Sequence, residues 1–337
     1  MAMTSKPLLP ALFLLLGACA TPSLRPSEAK LIAGRTFVVT GASSGFGRGV
    51  ALALAERGAN VVLAARRAEV LEAVAAEARA AGGTPLVVAT DVADPAAVER
   101  LAEATVGRFG RIDAWINNAG IGAIGRFEAI PIADHSRVVD VNFKGVVYGS
   151  HAALRRFKAQ GYGTLVNISS VEGEIALPYH STYAATKHAV LGLGAALHQE
   201  LRLAGQKRIK VSTVMPWAAD TPYFTHTANY SGGTPRMVAM DGPEKVVAAI
   251  VRAAIKPEKR VAVGWKAKGA VSAHRLFPGL TERIAADVTH DVQIEDAPPA
   301  PPTSGSLHRP MPEGTDVSGG VRERMEREDR ARKEKRR

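Results

Sequence analysis

Tyr183 and Lys187 stand four residues apart in a stretch whose apolar spacing predicts a helix over Tyr183–Leu203, so both side chains leave one helix face and can meet one ligand. A phenol there can give a proton to a carbonyl oxygen, and its phenolate can take one from an alcohol. A free tyrosine titrates near ~10, so either role needs help. The ammonium of Lys187 would supply it by stabilising the phenolate and lowering that pKa toward neutral pH. Taken singly, a helical lysine is usually solvated and a tyrosine near a helix start is usually packing.

A second group of residues points to what the pair would act beside. The run Thr40-Gly41-Ala42-Ser43-Ser44-Gly45-Phe46-Gly47 follows a β-branched strand and precedes an amphipathic helix. Glycines at 41, 45 and 47 permit a tight turn, a close backbone approach to a pyrophosphate and close helix–strand packing, with the helix N-terminus facing the phosphates. Such glycine patterns occur in many structural loops. Their position between strand and helix is what identifies a dinucleotide site. The next strand ends Ala64-Ala65-Arg66-Arg67, with no carboxylate where an unphosphorylated ribose would be bound. Arg66 offers a charged fork to a 2′-phosphate, which favours NADP(H) over NAD(H), while Arg67 reads as a solvated residue of the following helix.

These residues need a scaffold, and the chain alternates short β-rich runs with helical ones. Strands are predicted at Thr36–Val39, Val61–Ala64, Leu86–Ala89, Ala114–Ile116, Thr164–Ile168, Val211–Val214 and Val261–Val263. Amphipathic stretches lie between them at Arg48–Glu56, Glu69–Ala80, Ala96–Phe109, Val138–Phe157, Tyr183–Leu203 and Glu244–Ile255. Strand and helix taking turns predict an α/β fold, a doubly wound seven-stranded parallel sheet of the Rossmann type, as a single catalytic domain over residues 31–293. One more helix is expected at Val271–Ala286. Residues 294–337 are Pro-rich and then charged, and from Pro298 they read as a disordered tail.

With the glycine turn, the tyrosine–lysine pair and the alternation in hand, the chain resembles the short-chain dehydrogenase/reductase family from about Arg35 to Gly264. The likeness includes Asp91-Val92, Asn117-Asn118-Ala119-Gly120, Asn142, Ser169-Ser170 and Tyr183-Ala184-Ala185-Thr186-Lys187. The resemblance implies hydride transfer between a nicotinamide and a carbonyl or alcohol. Tyr183 would be the acid/base, Lys187 a holder of the nicotinamide ribose, and Ser170 the hydroxyl that meets the substrate oxygen, with Ser169 as its alternate. Asn142 would mark a helix distortion and a water relay through Lys187. Asn118 and Gly120 would line the adenosine side, where Asn118 has the competing task of fastening the fourth strand, and Asp91 and Val92 would approach adenine. Pro216 and Thr221 match the family's pattern near the nicotinamide, but Trp217 replaces the glycine usual after that proline, narrowing the pocket or stiffening the lid that follows. That lid, residues 217–240, carries Trp217, Tyr223, Phe224, His226 and Tyr230, whose aromatic character suggests a lipophilic substrate. Family members pair through two helices, here Val138–Phe157 and Tyr183–Leu203, so a homodimer or homotetramer is implied. The competing reading is a noncatalytic NADP(H)-binding sensor or a membrane-attached partner protein, which a loss of Tyr183 or Lys187 would have favoured.

The chain carries 43 Lys/Arg against 32 Asp/Glu, a formal net charge of +11. Nine of those cations, against five acids, fall in Val321–Arg337, so the excess describes a tail rather than a nucleic-acid groove. A single cysteine, Cys19, rules out an intrachain disulfide and a multi-cysteine metal site, and the nine histidines show no metal-ligand spacing. At the N-terminus, Lys6, the apolar run Leu8–Ala18 and the polar stretch from Thr21 to Lys30 follow the order of a secretory signal, and the run is too short to span a bilayer. Leu16-Gly17-Ala18-Cys19 resembles a bacterial lipoprotein box, with Cys19 the residue lipidated. Residues 1–30 therefore read as a signal-like or membrane-attachment segment, with a cytoplasmic protein as the alternative because NADP(H) is chiefly a cytoplasmic currency.

Overall fold

The computed structural model describes residue 28 and residues 30–335. The signal-like segment and Cys19 lie outside the described residues, and among those described no helix is long and apolar enough to cross a membrane.

The first strand, β1 (Thr36–Thr40), is buried at every position because helices cover both of its faces. It breaks at Gly41, where φ is +70°, and the chain enters helix α1 (Gly45–Ala55). The pattern then repeats through β2 (Asn60–Ala65), α2 (Ala68–Ala80), β3 (Thr84–Ala89), α3 (Pro95–Phe109) and β4 (Ala114–Asn117). Helix α3 shows the local logic plainly. Asp94 caps it by accepting from the Ala96 N–H, Pro95 fits its first turn, and Gly110 ends it in the left-handed region.

A two-residue strand β5 (Ala123–Ile124) leads to α4 (Ile132–Val139), a π-helical turn at Asp140–Lys144, and α5 (Gly145–Gln160). The helix predicted as one piece over Val138–Phe157 is thus interrupted at Asn142. After β6 (Gly163–Ile168), α6 (Ser181–Leu203) and β7 (Ile209–Met215) come a short helix α7 (Tyr223–His226), β8 (Ala228–Asn229), α8 (Pro243–Ile255) and β9 (Arg260–Ala262). All seven expected strands enter one parallel sheet in the order β3-β2-β1-β4-β6-β7-β9. β5 and β8 form a separate parallel pair, with β8 inside the expected lid segment. One core packs α1, α2 and α8 on one sheet face, the other packs α3 and α5 on the opposite face. The strand order reverses between β1 and β4, which opens a crevice at the carboxyl ends of the strands.

Two expectations about the C-terminal part need correction. The single helix predicted over Val271–Ala286 is two, α9 (Gly264–Leu276) and α10 (Pro278–His290). Pro278 forces the break, since the residue before a proline is driven out of the helical region and Phe277 sits at φ −137°, ψ 67°. The tail expected to be disordered from Pro298 is docked. Thr303 and Asn229 exchange backbone hydrogen bonds, Ala300 N–H donates to Gly232, and Thr234 N–H donates to Pro298. A final helix, α11 (Val321–Lys335), brings Glu328 and Asp329 against Arg236, whose guanidinium is 3% exposed. Composition suggested disorder because the segment has few apolar residues. Backbone groups and charges that find partners on the domain hold it, together with the few apolar side chains it buries, Leu307 and Val321.

Candidate active site

Tyr183 and Lys187 occupy the first two turns of α6, and the Lys187 ammonium lies 5.4 Å from the centroid of the Tyr183 ring. Lys187 is 4% exposed and donates to the Ile168 carbonyl at 3.0 Å, which ties α6 to the end of β6. Immediately past that strand, Ser170 caps a short 3-10 turn by accepting from the Glu172 N–H, and its hydroxyl is near enough to Tyr183 to favour the phenolate. Ser169 turns the other way, donating to the Lys187 carbonyl at 2.8 Å in a buried position. Of the two serines, Ser170 alone faces the tyrosine.

The electrostatics differ from the expectation for Tyr183. Burial, and then the Glu172 carboxylate, push its phenol well above the ordinary tyrosine value, where the sequence suggested Lys187 would lower it. Burial acts on Lys187 in the opposite sense, bringing it down to about 8, with Glu172 opposing that fall. Desolvation disfavours the charged form of either group, and here it outweighs their mutual attraction. The resting pair is therefore built around a neutral phenol, a proton donor.

Asn142 is fully buried in the π-helical turn. Its amide clamps the Ile121 backbone from both sides, accepting from the N–H and donating to the carbonyl at 2.8 Å each, and reaches Thr186 on α6 at 3.3 Å. This holds the chain beyond β4 against α6. Asn118 donates to the Thr40 carbonyl through its side chain at 2.9 Å, and its own N–H donates to the Thr40 hydroxyl, so it fastens β4 to β1. A Cβ on Gly120 would lie 3.6 Å from both Asn142 and Lys187, which shows how closely these side chains converge.

At the other end of the crevice, a Cβ on Gly47 would lie 2.2 Å from the Gly41 carbonyl, so the turn closes only with glycine there. Ser44, the residue preceding α1, makes no side-chain capping bond. Arg66 and Arg67 both border this end, and Arg67 is not the solvated residue expected. It reaches back to the Ser43 hydroxyl at 3.1 Å. Asp91 accepts from the Ala93 N–H and pairs with Arg137 at 2.6 Å. Arg137 had no signal in the sequence, because it sits 46 residues away on α4.

One continuous cavity of about 620 Å³ connects the two ends. It is lined by the turn residues Gly41, Ser43, Ser44, Gly45 and Phe46, by Arg66, Asp91, Val92, Asn118 and Gly120, and by Ser170, Tyr183 and Lys187. Pro216, Trp217, Thr221, Tyr223 and Phe224 border it from the lid side. Trp217 donates to the Ala239 carbonyl at 3.1 Å, bridging the two ends of the lid. Tyr223 stands 5.6 Å from Tyr183, ring to ring, a contact that sequence spacing could not reveal. Gly122 makes room for the Tyr223 hydroxyl, since a Cβ there would lie 2.1 Å from it. Phe224 packs mainly with Met240 and Val321.

A glycine turn at the switch point of a parallel sheet, opening into a cavity that ends at a half-buried tyrosine, defines a nicotinamide-dependent oxidoreductase. Residues 35–230 match the short chain dehydrogenase family, and the chain belongs to it. It is 34% identical over 282 residues to the uncharacterized oxidoreductase YxnA of Bacillus subtilis, covering 83% of this chain and 79% of that one. It is 35% identical over 261 residues to the putative oxidoreductase SadH of Mycobacterium tuberculosis, covering 75% and 94%. Among solved structures it is similar to a short-chain dehydrogenase from Streptomyces avermitilis, with a TM-score of 0.64, 30% identity and coverage of 74% and 95%. An alcohol dehydrogenase from Thermococcus sibiricus complexed with 5-hydroxy-NADP gives a TM-score of 0.57 at 28% identity, covering 67% and 93%.

Proposed function

We propose that this protein is an NADP(H)-dependent reductase or dehydrogenase of a lipophilic carbonyl or alcohol, in which Tyr183 transfers the proton. The observation that carries this reading is the meeting of Ser170, Tyr183 and Lys187 on one wall of the cavity that the glycine turn opens. Gly41, Gly45 and Gly47 would hold the pyrophosphate, and Arg66 with Arg67 would meet the 2′-phosphate; the bound nicotinamide supplies the hydride. In the reducing direction, Ser170 and Tyr183 hold the carbonyl oxygen between two hydroxyls. Tyr183 gives its proton to that oxygen as negative charge develops, and protonated Lys187 stabilises the phenolate left behind. Asn142 keeps the Ile121 backbone and α6 in register, so these groups need little rearrangement in the transition state.

The lipophilic preference rests on the wall beyond Tyr183, where Ile175, Leu177, Ile284, Ala285 and Val288 border the cavity. The Thermococcus relative's 5-hydroxy-NADP is consistent with a phosphorylated cofactor. By family analogy the protein works as a homodimer or homotetramer through α5 and α6, which light scattering of the purified chain checks.

The decisive comparison is the full-length protein beside Tyr183→Phe. NADPH and NADH binding are followed by fluorescence titration, and turnover by nicotinamide absorbance over carbonyls from small aldehydes to long-chain ketones. Turnover lost in the variant with cofactor affinity retained is the expected result. Cofactor binding without turnover by the unaltered protein, in either direction across the panel, would overturn the catalytic reading in favour of a sensor.

A further inference from the structure

The C-terminal segment between the sheet-edge contact at Thr303 and helix α11 crosses the cofactor end of the crevice. Arg66 donates to the Ser306 and Leu307 carbonyls at 2.6 and 3.0 Å, and Arg137 also donates to Leu307 at 3.0 Å. Further along, Arg67 donates to the Met311 and Glu313 carbonyls and Arg48 to the Thr315 carbonyl. The N–H of Gly45, at the start of α1, donates to Asp316 at 2.9 Å. The segment is then anchored at Asp220, a carboxylate with no exposure that accepts from the Val321 N–H at 2.8 Å.

Its sequence is shaped for this path. A Cβ on Gly305 would lie 2.3 Å from the His226 carbonyl, one on Gly314 would lie 2.6 Å from the His226 ring, and one on Gly319 would lie 2.3 Å from the Thr221 carbonyl. Leu307 is fully buried in the core that contains Val92 and Ile121.

We propose that residues 303–320 are the outer wall of the cofactor site, a strap that closes over the adenosine and pyrophosphate half of the bound dinucleotide, so that cofactor enters and leaves only when the strap lifts. The alternative geometry, in which the segment imitates the cofactor and competes with it, disagrees with two observations. First, space remains beneath it, since Ser306, Pro310 and Met311 line the same cavity as Gly41, Asp91 and Val92. Second, the strap meets Arg66, Arg67 and Arg137 with neutral backbone carbonyls. Asp316, with 83% of its side chain exposed, lies 3.9 Å from Arg48 and away from these three, while the Asp91 carboxylate pairs with Arg137 and acts on Arg66. Positive charge therefore remains in excess under the strap, where a cofactor phosphate would bring its negative charge.

This inference rests on the nicotinamide cofactor binding in the crevice, and the test separates the two. Full-length protein loaded with NADPH is mixed with excess NADP, and loss of bound-nicotinamide fluorescence gives the dissociation rate for wild type, Gly305→Val and Gly319→Val. Where product or cofactor release is gated by a covering segment, opening it speeds release, and we expect dissociation at least about tenfold faster in both variants. In the wild-type protein, hydrogen exchange of residues 303–320 should slow when NADPH binds, a readout that stands even if a variant fails to fold. Unchanged dissociation in folded variants overturns the strap. So does faster exchange of the segment on cofactor binding, or faster association with unchanged dissociation, either of which would mark a competitor. Absence of NADPH and NADH binding by the wild-type chain would overturn the cofactor reading as well.

Discussion

Glu172 is the charged side chain that most constrains the chemistry of Tyr183 and Lys187. Both of its oxygens lie 3.2 Å from the His180 ring nitrogen, and His180 in turn packs edge-on against Tyr183 at 6.5 Å. The two residues thus join the segment bearing Ser170 to the first turn of α6. A carboxylate here opposes the more negative state of each neighbour, raising Tyr183 and Lys187 alike. Glu172→Gln removes that opposition, so both pKa values fall. The pH profile of turnover should move to lower pH, whether read as the rising limb of alcohol oxidation or the falling limb of carbonyl reduction. A purely structural loss would reduce the rate without moving the limbs. In the unaltered enzyme, carbonyl reduction is expected to decline as pH rises through about 8, where Lys187 loses its proton and its hold on the developing phenolate. Rate measurements across the neutral and alkaline range with saturating cofactor check both statements.

The turn between β1 and α1 shows how an element positions chemistry without touching it. Gly47 brings the first turn of α1 against the Gly41 carbonyl, and Gly49 lets Val247 of α8 and Val317 of the strap close on the same helix. Gly47→Ala forces a Cβ into the space of a backbone carbonyl, which cannot swing aside as a side chain would. Overpacking of this kind typically costs roughly 1–3 kcal/mol, so urea unfolding should shift to lower denaturant and cofactor affinity should fall with it. Unchanged unfolding and unchanged affinity would show that the turn adapts more easily than its contacts imply.

At the scale of the whole molecule, α11 and the strap behave as part of the domain. Arg236 is the principal link, since its guanidinium meets Asp329 at 2.5 Å and Glu328 at 3.5 Å and donates to the Asp296 carbonyl. Arg236→Ala leaves those groups without their buried partner. Breaking a fully buried ion pair costs more, but Asp329 is partly solvated, so about 1–3 kcal/mol is expected. The measurable outcome is a lower Tm together with faster proteolytic cleavage near residues 296–320. A tail that was merely solvated would leave both unchanged.

The sequence by itself determined the repeating elements and the two ends of the crevice. All seven sheet strands, the glycine turn, and the pairing of Tyr183 with Lys187 follow from local rules: β-branched runs, helical periodicity, and side chains four apart on one face. These signals are local because the backbone geometry behind them spans only a few residues. The tertiary structure decided what distant segments bring together. Tyr223 reaches Tyr183 across 40 positions, Arg137 reaches Asp91 across 46, and the strap reaches Arg66 across 240. It also reversed the expected shift at Tyr183, because burial is a property of the packed domain and not of the spacing between a tyrosine and a lysine. The docked tail is the largest such difference. Its composition gives it too little apolar surface to fold alone, and its order comes from carbonyl groups, glycines, charges and a few apolar side chains such as Leu307 that meet complementary partners only after the domain has formed.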